Sequence, residues 1–262
     1  MSSNSPARVE STFRLVGVVH LPPLPGAANY RGASVREIAR IAAEDALVLA
    51  EAGFTDVMIQ DASDNPQPEH VGPATVAAMA VVGAEVRRAV GIPLGVVTGH
   101  NDGVASVAIA HAIDAQFIRV KVLTGVSAGP DGWIEGCSHR VAMLRRLLGS
   151  DVEVWADAHE ATSRAITGDV TWAAAEAMSF GGASKIIVTR DSGVADAVTD
   201  IAAVRASIGP DVDVLIGGRV TLDNLAIARA GADGAILGSA IKTGGGDDAR
   251  IDPIAARAFA TT

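Results

Sequence analysis

The sequence predicts an α/β protein, a single (β/α)8 barrel of the TIM type, and three observations carry that prediction. Its 262 residues are the usual length of one such barrel. Short β-branched runs alternate with longer Ala-rich stretches of helical period, the pattern of repeated βα units around a parallel sheet. There are eight such runs, near 14–19, 56–60, 93–97, 116–122, 152–158, 184–189, 212–216 and 234–237, and eight favours closure over an open sheet.

Helices are expected over 34–53, 72–90, 102–114, 138–148, 168–181, 198–208, 221–230 and 252–260. Ser34 opens the first, with Glu37 three residues later as a capping box, and Gly53 ends it. Its apolar stripe runs through Ile38, Ile41, Ala42 and Leu49. Asp102 is read as the cap of the third. Two connections break the rhythm, 20–33 and the Gly-rich 123–136 with Trp133 and Ile134. Both are read as long loops of the kind that cover or bind at a site. No linker divides the chain, so 14–262 is one domain preceded by a polar, disordered tail over 1–13.

Composition narrows the function. Apolar residues are 49% and charged residues 19%, enough for a large core with strands buried on both faces, and consistent with a homo-oligomer. A net charge of −9 with 3% aromatic residues argues against nucleic-acid binding, while a small anionic substrate in a local basic pocket fits. No apolar run approaches the roughly 20 residues that cross a bilayer, and the N-terminus has no signal-peptide core. The single Cys137 cannot form an intramolecular disulfide, so a cytoplasmic protein is expected, and this thiol at a helix start is read as structural.

Strand alternation assigns the inward side chains. In the fourth strand Ile118, Val120 and Val122 face the helices, leaving Phe117, Arg119 and Lys121 for the interior. In the fifth, Val154, Ala156 and Ala158 face outward and Trp155, Asp157 and His159 inward. In the second, Met58 and Gln60 point in. Two cations and one carboxylate thus share a closed space, where charges must be paired or solvated. Arg119 reads either as a structural bridge or as a substrate contact. Lys121 and Asp157, nearer the carboxyl end, are candidate catalysts, and the cations keep Asp157 ionised.

Further polar residues gather at the strand ends. His20 and His159 are candidates for proton transfer, Asp61 or Asp157 for stabilising a growing positive charge, and Asn101 and Arg190 for substrate contact. Asp64 and Asp102 read better as turn and cap. No pair has tight metal-ligand spacing, which disfavours a zinc site. Mg²⁺ held by Asp61 or Asp157 with substrate oxygens stays open, and no organic cofactor is expected. After the seventh and eighth strands come Gly217-Gly218-Arg219 and Gly238-Ser239. Two glycine turns there match the recurrent phosphate site of this fold.

At these residues the chain resembles the BtpA/SgcQ family of barrel proteins, over about residues 14 to 260. The resemblance rests on His20-Leu-Pro-Pro-Leu-Pro-Gly26, Asn101-Asp102, Phe117-Ile-Arg-Val-Lys-Val122 with Gly125, and Ala156-Asp157. It continues through Ile187-Val-Thr189, Gly217 to Asn224, Asp233 to Ser239, and Lys242. The family takes its name from a photosystem-assembly phenotype. This chain departs from its pattern: Gln60-Asp61 stands where Glu-Asn is usual, His159-Glu160-Ala161-Thr162 where a Lys-His pair is, and Gly217-Gly218-Arg219 where Gly-Ser-Gly is. Those departures imply a changed substrate or reaction.

The residues together lead to an enzyme acting on a small phosphorylated sugar at its anomeric carbon, most specifically phosphopentosyl or phosphohexosyl transfer to or from a nitrogen base. The alternatives are a sugar-phosphate isomerase, epimerase or aldolase with a Schiff base on Lys121, and a non-catalytic assembly or regulatory protein of the BtpA type.

Overall fold

The computed structural model describes residues 12–129, 132–159, 161–246 and 249–262; positions 1–11 of the expected tail and Glu160 lie outside the described residues. In chain order the strands are β1 (Arg14–His20), β2 (Asp56–Gln60), β3 (Leu94–Val97), β4 (Phe117–Val120), β5 (Val126–Gly129), β6 (Gly132–Glu135), β7 (Glu153–His159), β8 (Arg164–Ala165), β9 (Lys185–Val188), β10 (Val214–Ile216) and β11 (Gly234–Leu237). The helices are α1 (Val35–Ala52), α2 (Pro73–Ala89), α3 (Gly103–Ala112), α4 (Ser138–Leu148), α5 (Val170–Ser179), α6 (Val194–Ile208), α7 (Leu225–Gly231) and α8 (Pro253–Thr261). All eight barrel strands fall on the predicted runs, and they close in the order β1-β2-β3-β4-β7-β9-β10-β11. Neighbours pair in parallel throughout the barrel, as βα crossovers require.

Alternation produces two cores. Helix-facing residues such as Val57, Ile59, Ile118, Val154 and Ile186 join the helices' apolar stripes in the outer layer. Val16, Val18, Met58, Val97, Phe117, Trp155, Ile187, Leu215 and Ile236 fill the barrel itself. The Phe117 and Trp155 rings stack at 3.7 Å and 7° across its amino-terminal end. Gly95 makes room for them, because a Cβ there would lie 2.1 Å from the Phe117 ring. The Arg14 guanidinium and the Lys185 ammonium sit 5.5 and 5.6 Å from the Trp155 ring centre, within cation–π range. The floor is therefore packed shut, with the ion pairs Arg14–Asp56 and Lys185–Glu153 at its rim, and the candidate site residues lie at the carboxyl end.

Four local expectations need correction. Ser34 precedes α1 but makes no side-chain cap bond; Glu37 instead accepts from Arg40 on the exposed face, where the ion pair competes with capping. Residues 123–136 are not simply a loop: β5 and β6 pair as an antiparallel hairpin, and β8 from the next connection adds a third strand. Helix α6 starts at Val194, four residues before the expected 198, behind Gly193. The expected helix at 221–230 begins with a 3-10 turn at Leu222–Asn224, held by a Thr221–Asn224 capping box, before α7. The 20–33 connection is a packed loop, as expected of a covering segment. Leu21 and Leu24 are buried, and Asp64 accepts the Leu24 N–H at 2.9 Å.

One irregularity matters for the site. Trp155, Ala156 and Asp157 pair with Lys185, Ile186 and Ile187, but the register then slips so that His159 stands opposite Val188. Val188 belongs to the helix-facing layer. The bulge therefore carries His159 off the barrel axis, correcting the inward position that simple alternation assigns it.

Candidate active site

At the centre of the mouth Arg119 grips Asp157 with both arms of its guanidinium, Nε to Oδ2 at 2.8 Å and Nη2 to Oδ1 at 2.7 Å. The residues come from adjacent strands, where Arg119 pairs in register with Trp155, two before Asp157. A planar fork onto a carboxylate is the strongest of the common ion pairs and keeps the carboxyl charged. Lys121 follows β4 and borders one narrow crevice with Asp157, Thr124, Ser127 and Thr167. The two cations and the carboxylate expected from alternation are thus together.

Asp61 lies behind β2, fully buried, and both its oxygens face the Gly99 N–H, at 2.9 and 3.1 Å. Gln67 Nε2 donates to Oδ1 as well. Burial raises this carboxyl to about 6; repulsion from Asp64 adds to the rise, while the Gly99 bond and Lys121 oppose it. A group poised there can give or take a proton near neutrality.

Each of two histidines is oriented by a cation. Lys242 Nζ is 2.6 Å from His20 Nδ1, and Arg190 Nη1 is 3.4 Å from His159 Nδ1. Ammonium and guanidinium groups only donate, so both Nδ1 atoms accept and the ring protons sit on Nε2. Burial, then the Arg190 charge, lowers the His159 pKa below the ordinary imidazole value and favours its neutral form. Arg190 is in turn paired with Asp200.

The turns after β10 and β11 enclose a cavity of about 290 Å³ lined by Arg219, Thr221, Gly238, Ser239, Ala240 and Gly245, among others. Among the described residues, the backbone N–H groups of Gly218, Arg219, Ser239 and Ala240 meet no backbone carbonyl. Arg219 has a left-handed backbone, φ 62°, and its guanidinium meets Asp191 at 2.6 Å on the rim. Gly217 is needed for space: a Cβ there would fall 2.1 Å from Thr189 Oγ1 and 3.4 Å from Arg119 Nη2. His20 sits beneath Gly238, with its Cε1 3.3 Å and Nε2 3.6 Å from where a Cβ would lie.

Other predicted residues have structural work. The Asn101 amide donates to the carbonyls of Val122 and Glu135 and accepts from the Val122 N–H, tying β4's end to the hairpin. It positions the mouth from below. Asp102 caps α3 through the Ala105 N–H and also accepts from Val71. Cys137 is buried at the start of α4, and burial pushes its thiol up to about 11, which makes it inert. Two residues outside the predicted set belong to the site, Lys242 and Thr189. Both stand among the residues that carry the family resemblance, which is their signal in the sequence: nothing local marks Lys242 as buried, and Thr189 ends the β9 run as one more β-branched residue.

A closed parallel barrel, packed at one end and carrying these ionisable groups and glycine turns at the other, defines a TIM-barrel protein whose candidate site lies at the carboxyl ends of the strands. The chain belongs to the BtpA family, whose model matches residues 12–262. An uncharacterized protein of Thermococcus kodakarensis is 40% identical over 232 residues, covering 88% of this chain and 87% of its own. The photosystem I biogenesis protein BtpA of Synechocystis sp. is 34% identical over 247 residues, covering 94% of this chain and 86% of its own. Among solved structures, a thiamine phosphate pyrophosphorylase from Pyrococcus furiosus superimposes with a TM-score of 0.56 at 15% identity, covering 94% of this chain and 93% of its own. N-(5'-phosphoribosyl)anthranilate isomerase from the same organism gives 0.56 at 12% identity, covering 95% and 97%. At such identities the likeness is one of fold. Among the described residues no helix is long and apolar enough to cross a membrane.

Proposed function

We propose that this protein is an enzyme acting on a phosphorylated sugar at the anomeric carbon, most specifically a phosphopentosyl or phosphohexosyl transferase to or from a nitrogen base. One observation carries the reading. The cavity between the β10 and β11 turns presents backbone N–H groups from both turns that meet no carbonyl, and it opens in the same mouth as Arg119, Lys121 and Asp157. Backbone donors of that kind suit phosphate oxygens, and anchoring a remote phosphate positions the sugar for reaction. The two solved barrels named above carry the names of enzymes of phosphorylated compounds, which accords with this reading.

In the proposed reaction the bond from the anomeric carbon to the leaving group breaks as a bond to the base nitrogen forms. Positive charge grows on the sugar ring, and Asp157, held ionised by Arg119, stabilises it. Lys121 neutralises the departing phosphate or pyrophosphate. The proton that the base gives up leaves on the departing phosphate or pyrophosphate, and the His20 Nε2–H completes the phosphate cradle below Gly238. Both Asp157 oxygens are engaged by Arg119 and both Asp61 oxygens by Gly99, so neither offers a ready metal position. Mg²⁺ is assigned to the substrate, carried in on its pyrophosphate oxygens, and the protein's own residues perform the steps described.

The test is a thermal-shift series with ribose 5-phosphate and phosphoribosyl pyrophosphate, with and without Mg²⁺. Saturation at 100 times Kd stabilises the fold by about 2.7 kcal/mol, a readily measured rise in Tm. The rise is expected to vanish in Arg219→Ala and Ser239→Ala. No rise with any phosphorylated sugar would sink the reading and favour a protein-binding role. Borohydride trapping of an adduct on Lys121 would replace it with Schiff-base chemistry.

A further inference from the structure

A second cavity of the mouth is larger than the one between the glycine turns. It measures about 880 Å³ and lies between the β5–β8 edge of the small sheet and the connection from β9 to α6, lined by Gly129, His159, Thr162, Thr189, Arg190 and Ser192, among others. We propose that this cavity is the subsite of the second reactant, built for a molecule that presents an acceptor oxygen, either a ring carbonyl or a carboxylate. The assignment rests on the glycosyl-transfer reading and supplies the chemistry of its acceptor.

Two buried atoms carry it. Thr189 is only 8% exposed, lines the cavity, and its Oγ1 has no hydrogen-bond partner. His159 Nε2 is also buried without a partner. Its Nδ1 is taken by Arg190, so Nε2 bears the ring proton and has a hydrogen bond to give. A buried donor left unsatisfied is destabilising, and two beside one cavity indicate a group that answers both. What they lack is an acceptor. The β7 bulge has a purpose on this account, since it swings His159 off the axis to this wall.

The position suits a second reactant. Thr189 stands against Gly217, where the phosphate turn begins, and a Cβ at Gly217 would collide with its hydroxyl. Asp191 on this side and Arg219 on the other form the ion pair between the two cavities. His159 borders both this cavity and the crevice of Lys121 and Asp157. A base held here therefore adjoins a sugar phosphate held by the turns, with the charged centre at their junction.

The experiment is ligand-observed NMR and calorimetry on the full chain with three heterocycles: uracil for a ring carbonyl, nicotinate for a carboxylate, and indole, which presents no hydrogen-bond acceptor. Ribose 5-phosphate binding is measured separately. Uracil or nicotinate is expected to bind while indole does not, and whichever binds identifies the oxygen. Thr189→Val should weaken that binding at least tenfold and Thr189→Ser should retain it. If Thr189→Val does not fold, His159→Phe answers the same question. Equal binding of indole, no binding of uracil or nicotinate, or full affinity in both Thr189→Val and His159→Phe would overturn the subsite while leaving the phosphosugar reading intact. Uracil or nicotinate binding that depends on Thr189, without any ribose 5-phosphate binding, would support the cavity and sink that reading instead.

Discussion

Lys242 reaches across the closing seam of the barrel, from the connection after the last strand, to place its ammonium 2.6 Å from Nδ1 of His20 at the end of the first. The contact does more than join two chain segments 222 residues apart. It orients the imidazole and puts the ring proton on Nε2, on the side of Gly238 and the turn after β11. Arg190 does the same for His159 one cavity away. The mouth thus uses cations to fix neutral histidines as donors.

Removing that constraint should be visible directly. In Lys242→Met the His20 ring is expected to sample both tautomers, whereas the parent protein shows the Nε2–H form alone. Nitrogen-15 NMR of labelled imidazoles reads the difference. Loss of the oriented donor should weaken phosphosugar binding about tenfold, since a charge-assisted bond is worth about 1.5–3 kcal/mol. An unchanged tautomer in the variant would refute the role assigned to Lys242.

The Arg119–Asp157 pair should behave as a buried ion pair. Either Arg119→Met or Asp157→Asn is expected to cost about 3–5 kcal/mol in urea unfolding, because each leaves a buried group without its partner. The double variant should cost clearly less than the sum of the two. Additive losses would show that the pair is not coupled.

Asp61 makes a signed prediction about pH. Its folded value of about 6 lies above its unfolded value near 3.9, so between those limits the folded state holds more protons than the unfolded one. Its contribution to stability is therefore full below pH 4, declines as pH rises through 6, and stays low above. The total is roughly 3 kcal/mol by the usual 1.36 kcal/mol per unit. Asp61→Asn should flatten this part of the stability curve. A stability curve that still falls over that range in the variant would assign the effect to another group.

Gly217→Ala tests the spacing at the turn. The added methyl meets Thr189 Oγ1 at 2.1 Å and Ile187 Cγ2 at 2.7 Å. Overpacking of this kind costs about 1–3 kcal/mol. Introducing Thr189→Ala in the same chain should recover part of the loss and leave the share due to Ile187. No recovery in chemical denaturation would mean the crowding lies elsewhere.

Most of the barrel is legible in the amino-acid sequence. Strands buried on both faces are runs of Val and Ile, and the glycine and capping signals between them are local. The inward set Arg119, Lys121 and Asp157 follows from alternation alone. Features whose cause is not local are hidden from such patterns. The hairpin of β5 and β6 is completed by Arg164 and Ala165 from the next connection, so its Gly-rich sequence reads as a loop. Alternation puts His159 on the axis because a bulge is a property of two paired strands, and no single-strand pattern announces it. The bonds of the Asn101 amide to Val122 and Glu135 depend on how β4 and the hairpin meet.

The class of fold, the family, and the identity of most axis-facing strand residues thus reside in the sequence, because a period of two and a βα rhythm are written within a few residues of chain. Which charges meet is a matter of the folded barrel. Folding sets Arg119 on Asp157, Lys242 on His20 and Arg190 on His159, and through burial it raises Asp61 to about 6. Coulomb energy and desolvation depend on distance and enclosure, and barrel closure brings the first strand beside the last.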